Sequence, residues 1–131
     1  MNKPSSPAPE LCGQFHRASE LIGRRWTGAI LFVMLRTRCR FATLREAIPD
    51  ITDRMLSARL QELEHEGIVS RSVVAQTPVR VEYALTKKGK ALASAIDAMA
   101  AWAERWVEPE RGVTARRAES AGSGRRARSN P

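Results

Sequence analysis

The stretch TDRMLSARLQELEHEG, from Thr52 to Gly67, constrains the fold more tightly than any other part of the chain. It specifies both ends and one face of a helix. Thr52 suits the N-cap, where its hydroxyl accepts a bond from an N–H that the first turn leaves unpaired. Asp53 follows in the first turn, where the helix dipole favours negative charge, and Gly67 supplies the stop. At the helical period, Leu56, Leu60 and Leu63 fall within about a sixth of the circumference and form a core-facing stripe. Arg54, Ala58, Gln61 and His65 point the opposite way, with Met55 and Ser57 on the flanks. That outward face is not the Glu/Lys mixture of a plain solvated surface, and it calls for an explanation.

The flanking elements narrow the choice. Residues 1–10 read as a flexible arm, and Phe15, Ala18 and Leu21/Ile22 predict a helix over Gly13–Ile22, broken by Gly23. Trp26–Leu35 (WTGAILFVML) is apolar nearly all round, which predicts a fully buried central helix. It is too short to cross a bilayer, and no other apolar run has that length. The Pro/Ser-rich start lacks the apolar region of a signal peptide, and two cysteines do not make a disulfide scaffold, so a cytoplasmic protein is expected. After the loop TRCR, Phe41, Leu44 and Ile48 mark a short helix ending at Pro49-Asp50. Beyond Gly67, alternation at Val69/Arg71/Val73 and Val81/Tyr83/Leu85 around QTPV predicts a two-stranded β-hairpin with a Pro-containing tip. Thr86 then caps one long helix from Lys87 to Trp106. Leu92, Ile96, Met99, Ala103 and Trp106 recur at four- and three-residue steps, a seam that, with Trp102 beside it, suits a second helix. Residues 107–131 read as a disordered basic tail, which leaves residues 11–106 as the domain.

Charge points to the partner. The chain carries 22 Lys and Arg against 14 Asp and Glu, a net charge of +8. Six arginines (24, 25, 36, 38, 40 and 45) stand between Leu21 and Arg45 with no acid among them. A block of that kind attracts polyanions. The short helix from Phe41 and the helix from Thr52, joined by a tight Pro-Asp turn, make a helix-turn-helix whose second member enters the major groove. The hairpin follows where a winged helix-turn-helix carries its wing. The fold class is therefore mainly α (α+β), a winged helix-turn-helix with a long C-terminal dimerisation helix, and the outward face has a candidate target in base edges.

Five segments, ELIGRRWTGAIL, RFATLREAIPDIT, DRMLSARLQELEHEGIVSR, PVRVEYALTKKGKAL and IDAMAAWAERW, occur in the order and spacing of a known group. Together they make the chain resemble the HxlR-type winged helix-turn-helix regulators of the broader MarR-like group. The resemblance implies a dimeric DNA-binding transcription factor, often responsive to oxidants or electrophiles, that dimerises through its N- and C-terminal helices. The chain departs from that pattern in four places. Asp53 stands where a helix-starting Pro is usual, and Ala58 where a long polar side chain is common. Cys12 is followed by Gly13 rather than Pro, and Cys39 occupies a loop position that usually lacks cysteine.

The candidate DNA-reading residues are Arg54, Met55, Ser57, Ala58 and Gln61. Arg can bond guanine twice, Gln can bond adenine twice, and Ala can pack on a thymine methyl. Thr52 would add a phosphate contact at the helix start. Arg38, Arg40 and Arg45 lie on or just before the helix that crosses the backbone. Arg80 in the wing either reaches the DNA backbone or minor groove, or pairs across the strands. Arg24 and Arg25 suit either DNA or a dimer interface, and Lys87, Lys88 and Lys90 either phosphate or solvent. Cys12 matches the position of the reactive cysteine in oxidant-sensing relatives, its alternative being an inert thiol. Cys39, between two arginines, has an electropositive setting if exposed. Cys12 and His16 have metal-compatible spacing without a second pair, so no metal or cofactor is expected. No catalytic set of residues is visible, and no enzyme activity is expected. The expected partners are a second copy of the chain and a palindromic double-stranded operator, with no membrane. The alternative is a winged-helix protein-interaction module.

Overall fold

The computed structural model describes residues 10–109, which puts nearly all of the expected N-terminal arm and basic tail outside the described residues. Their contacts divide the chain into two compact units that meet between Asp97 and Ala98.

The first unit opens with α1 (Gly13–Gly23), which buries no residue fully, Leu21 and Ile22 being only half-buried. Then comes α2 (Thr27–Met34), entered through Trp26 in the left-handed region at φ 76°. The sequence predicts α2 to be fully buried, and the structure corrects this. Thr27, Ile30, Leu31 and Met34 are covered, whereas Ala29 and Phe32 are open. An all-apolar sequence carries no mark of which face its own chain covers.

Strand β1 (Cys39–Arg40) leads straight into α3 (Phe41–Ala47), and after the turn at Pro49-Asp50 comes α4 (Asp53–His65). Leu44 of α3 and Leu56, Leu60 and Leu63 of α4 are almost wholly excluded from solvent, as their spacing predicts. Gly67 takes φ +73°, the left-handed conformation that ends the helix. The hairpin is formed by β2 (Val69–Val74) and β3 (Arg80–Leu85), antiparallel and in register from Val69↔Leu85 to Val74↔Arg80. Within the loop expected at TRCR, Cys39 and Arg40 instead form a third strand, β1, pairing with Tyr83 and Glu82 of β3. The sheet order is β1-β3-β2. Two residues are too few to display alternation, so this strand had no sequence signature.

The single long terminal helix is also corrected. Thr86 caps a four-residue α5 (Lys87–Lys90), and α6 (Ala93–Trp106) starts afresh. At the junction Leu92 N bonds to Gly89 O, three residues back instead of four. Within α5, Gly89 packs directly on the carbonyl of Ile68, where a side chain would not fit. Ile96, near the start of α6, completes the core of Ile30, Leu31, Leu44, Leu60 and Val69.

In the second unit, the helical residues from Ala98 to Trp106 carry Met99, Trp102 and Trp106 exposed, and the Arg105 guanidinium lies 5.0 Å from the Trp106 ring centre. No helix among the described residues is long and apolar enough to cross a membrane.

Candidate DNA interface

The start of α4 is built as its sequence requires. Thr52 Oγ1 accepts a bond from Met55 N at 3.1 Å, so the cap is made, and the stripe of Leu56, Leu60 and Leu63 anchors the helix. Arg54, Ser57, Gln61, Glu64 and His65 are exposed. Met55 is half-buried and packs against the core, while Ala58 is half-buried beside Leu21 and Arg24 in a shallow groove. The open sector of α4 is thus turned away from Ala58 toward Ser57 and Glu64. The cause lies on the other flank, where the α1–α2 junction leans on the helix. Arg59 Nε donates to the carbonyl of Arg25 at 2.8 Å, Arg59 also pairs with Glu62 at 3.0 Å, and Arg24 reaches the same Glu62 carboxylate at 3.3 Å. Arg59 is the residue that sequence reading missed; its three-residue spacing to Glu62 was the available signal. Arg24, which suited either DNA or a dimer interface, is engaged within its own chain.

The arginines around α4 fall into two sets. Arg38 and Arg54 are exposed and form no ion pair among the described residues. Arg45 is also exposed, but its Nη1 lies 3.3 Å from each carboxylate oxygen of Asp53. Arg80 pairs with Glu82 at 3.8 Å along its own strand, not across the hairpin, where its register partner is Val74. Arg40 stands opposite the same Glu82 across β1 and β3. Of the three lysines near Thr86, Lys88 donates to the carbonyl of Glu66 at 2.6 Å and so satisfies the end of α4, while Lys87 and Lys90 are exposed.

The two cysteines are placed very differently. Cys12 is exposed at the N-cap of α1, and its carbonyl accepts a bond from His16 N. Cys39 does not meet the condition of exposure on which its reactivity rested. It is buried in β1 at 3% exposure, its Sγ donates to Thr37 O at 3.3 Å, and burial pushes its thiol pKa up. A thiol so placed carries less thiolate, the nucleophilic form. His16 pairs with Glu20 at 2.9 Å, and no cluster of three metal-ligating side chains occurs among the described residues.

The seam expected for dimerisation also divides. Ile96 is 2% exposed and Leu92 half-buried against the core, so both serve the chain's own interior. Met99, Trp102 and Trp106 are 50%, 60% and 64% exposed. The four-and-three spacing is the same throughout, and nothing in it marks where the intrachain core stops.

A polar, Arg-bearing helix in the second position of a helix-turn-helix, followed by a hairpin wing, defines a winged-helix DNA-binding protein. The sequence profile of the HxlR-like helix-turn-helix family matches residues 21–111. The HTH-type transcriptional regulator YvaP of Bacillus subtilis is 44% identical over 100 residues, 76% of this chain and 93% of YvaP. The reduced form of the B. subtilis regulator YodB superposes with a TM-score of 0.67 at 42% identity, covering 77% of this chain and 99% of that one. YodB is also known in diamide-treated and quinone-bound forms. The oxidised form of the redox regulator HypR gives a TM-score of 0.69 at 36% identity, covering 73% and 99%. The chain belongs to the HxlR-like helix-turn-helix family. It is a DNA-binding transcriptional regulator, in a family of regulators rather than enzymes.

Proposed function

We propose that the protein acts as a homodimer that reads a palindromic operator with α4 and represses by occupying a promoter. The observation that carries this is the open sector of α4, where Arg54, Ser57 and Gln61 stand exposed beyond a made N-cap. Arg54 and Gln61 offer paired hydrogen bonds to guanine and adenine. Arg38, Arg40, Arg45 and Arg80 flank them as phosphate contacts that set register. The exposed Met99, Trp102 and Trp106 supply the apolar surface for a second copy. Half-sites then lie about one helical turn apart.

Cys12 is the sensor in this reading. It is exposed at the head of α1, and the similar regulators YodB and HypR have been characterised in oxidised or thiol-reagent-treated states. The test is a gel shift on the DNA flanking the protein's own gene, at two salt concentrations, reduced and then treated with a mild oxidant. A discrete, competitor-resistant shift that changes on oxidation, with the change abolished by Cys12→Ser, supports the whole reading. A shift insensitive to oxidant removes the switch and leaves the regulator. A smear at every sequence, lost with salt, removes sequence-specific recognition.

A further inference from the structure

Two of the arginines placed to meet phosphate are already held by acids, and this rests on the DNA-binding reading above. Arg45, on α3, faces Asp53 in the first turn of α4, with both carboxylate oxygens at 3.3 Å. The two side chains are 53% and 60% exposed, so the pair lies open to solvent beside the Thr52 cap. An ion pair this exposed adds little to folding, yet it occupies a place where DNA phosphates favour uncompensated positive charge. The unpaired N–H groups of a first helical turn attract an anion, and the Asp53 carboxylate competes with phosphate for the same ground. Arg38, Arg40 and Arg54 form no ion pair among the described residues, so pairing is not general to these arginines. On the wing side the arrangement recurs: Glu82 pairs with Arg80 at 3.8 Å and stands in register with Arg40.

We propose that Asp53 is an electrostatic brake on DNA binding: its carboxylate holds Arg45, so random duplex is bound weakly and Arg45 passes to a phosphate only on a site that fits. Glu82 does the same for Arg80. Non-specific binding is almost wholly electrostatic, whereas specific binding adds base contacts made elsewhere on α4. Restraining two cations therefore lowers the electrostatic affinity for every duplex, and it takes the larger share of the binding free energy from random duplex, which has no base contacts to make up the loss.

The experiment measures affinity of the full chain for random-sequence duplex and for its best site across a salt series, in wild type, Asp53→Asn, Glu82→Gln, Arg45→Ala and the Asp53→Asn/Arg45→Ala double variant. Circular dichroism melts confirm that each is folded. Asp53→Asn is expected to bind random duplex about two- to fivefold more tightly, the scale of releasing one exposed ion pair. The slope of log affinity against log salt should steepen by about one. The gain should vanish in the Arg45→Ala background. An equal gain there would mean that Asp53 repels DNA directly, and the brake would be refuted. Unchanged or weaker binding by Asp53→Asn, with wild type binding normally, would refute it as well. If wild type bound no duplex even at low salt, the DNA-binding reading itself would fall, and the brake with it. Glu82→Gln repeats the measurement at an independent pair.

Discussion

Gly89→Ala separates this structure from any reading of its sequence. In an exposed helix, Gly to Ala stabilises by about 1 kcal/mol, because the backbone loses less entropy on folding. Here the sign reverses. A Cβ at position 89 would fall well inside contact with the carbonyl oxygen of Ile68, 3.2 Å from its carbonyl carbon and 3.0 Å from Leu85 Cδ2. The first two are backbone atoms, which cannot swing aside as a flexible side chain would. The same oxygen accepts bonds from Thr86 N at 3.0 Å and Thr86 Oγ1 at 3.2 Å, so moving it disturbs the cap of α5 too. Overpacking costs about 1–3 kcal/mol, and a loosened hydrogen bond adds roughly 0.5–1.5 kcal/mol. After the propensity gain, the net loss is about 0.5–3.5 kcal/mol. For a domain of this size each kcal/mol lowers Tm by about 4–8 °C. Urea unfolding followed by far-UV circular dichroism measures it, with Lys90→Ala as the exposed control. If Gly89→Ala were neutral or more stable, the close packing of Gly89 on the Ile68 carbonyl would be wrong.

Thiol labelling of the native protein should show one fast cysteine, Cys12, and a second, Cys39, that reacts only on unfolding; fast labelling of both would contradict the burial of β1. Because burial raises the Cys39 thiol pKa above its unfolded value, the matching stability is intact at neutral pH and is lost as pH climbs past the ordinary thiol value, so denaturant midpoints of wild type should fall more than those of Cys39→Ala in alkaline solution. Ile96→Ala should cost about 2–5 kcal/mol of folding stability as a buried truncation, whereas Trp102→Ala should leave the melt of the monomer within about 0.5 kcal/mol and weaken self-association in sedimentation; the reverse pattern would relocate the dimer face. Arg54→Ala should relax base preference at one operator position at a cost of about 1–3 kcal/mol, while Arg38→Ala should weaken every duplex alike and reduce the salt slope by about one. Equal losses on all sequences for both would remove Arg54 from base reading.

What could be read in the chain beforehand was whatever a local period or an end signal encodes. The cap at Thr52, the stripe of Leu56, Leu60 and Leu63, the stop at Gly67 and the alternation on both sides of QTPV each depend on neighbours within a few residues, and each is found in place. What could not be read was set by residues far apart. Strand β1 exists because Cys39 and Arg40 meet Tyr83 and Glu82, more than forty residues on. The same pairing buries Cys39 and turns the expected electropositive loop thiol into a core side chain. Ile96 and Trp102 share one helical seam, and only tertiary packing assigns the first to the interior.

The orientation of α4 follows the same rule and bears most on function. The helix alone would present whatever lies opposite its leucines, which includes Ala58. A helix leaves its partner the sector that its neighbours do not take, and here Arg24 and the Arg25 carbonyl reach Glu62 and Arg59 on one flank. Two positions of the basic block therefore act within the chain, holding α4 at the rotation that leaves Arg54, Ser57 and Gln61 exposed. Removing the Arg59 anchor should then disturb recognition through a residue that is itself only 12% exposed. Its guanidinium ties α4 to the α1–α2 junction through the Arg25 carbonyl, so an Arg59→Ala variant that kept its operator affinity unchanged in a gel shift would refute this anchoring role.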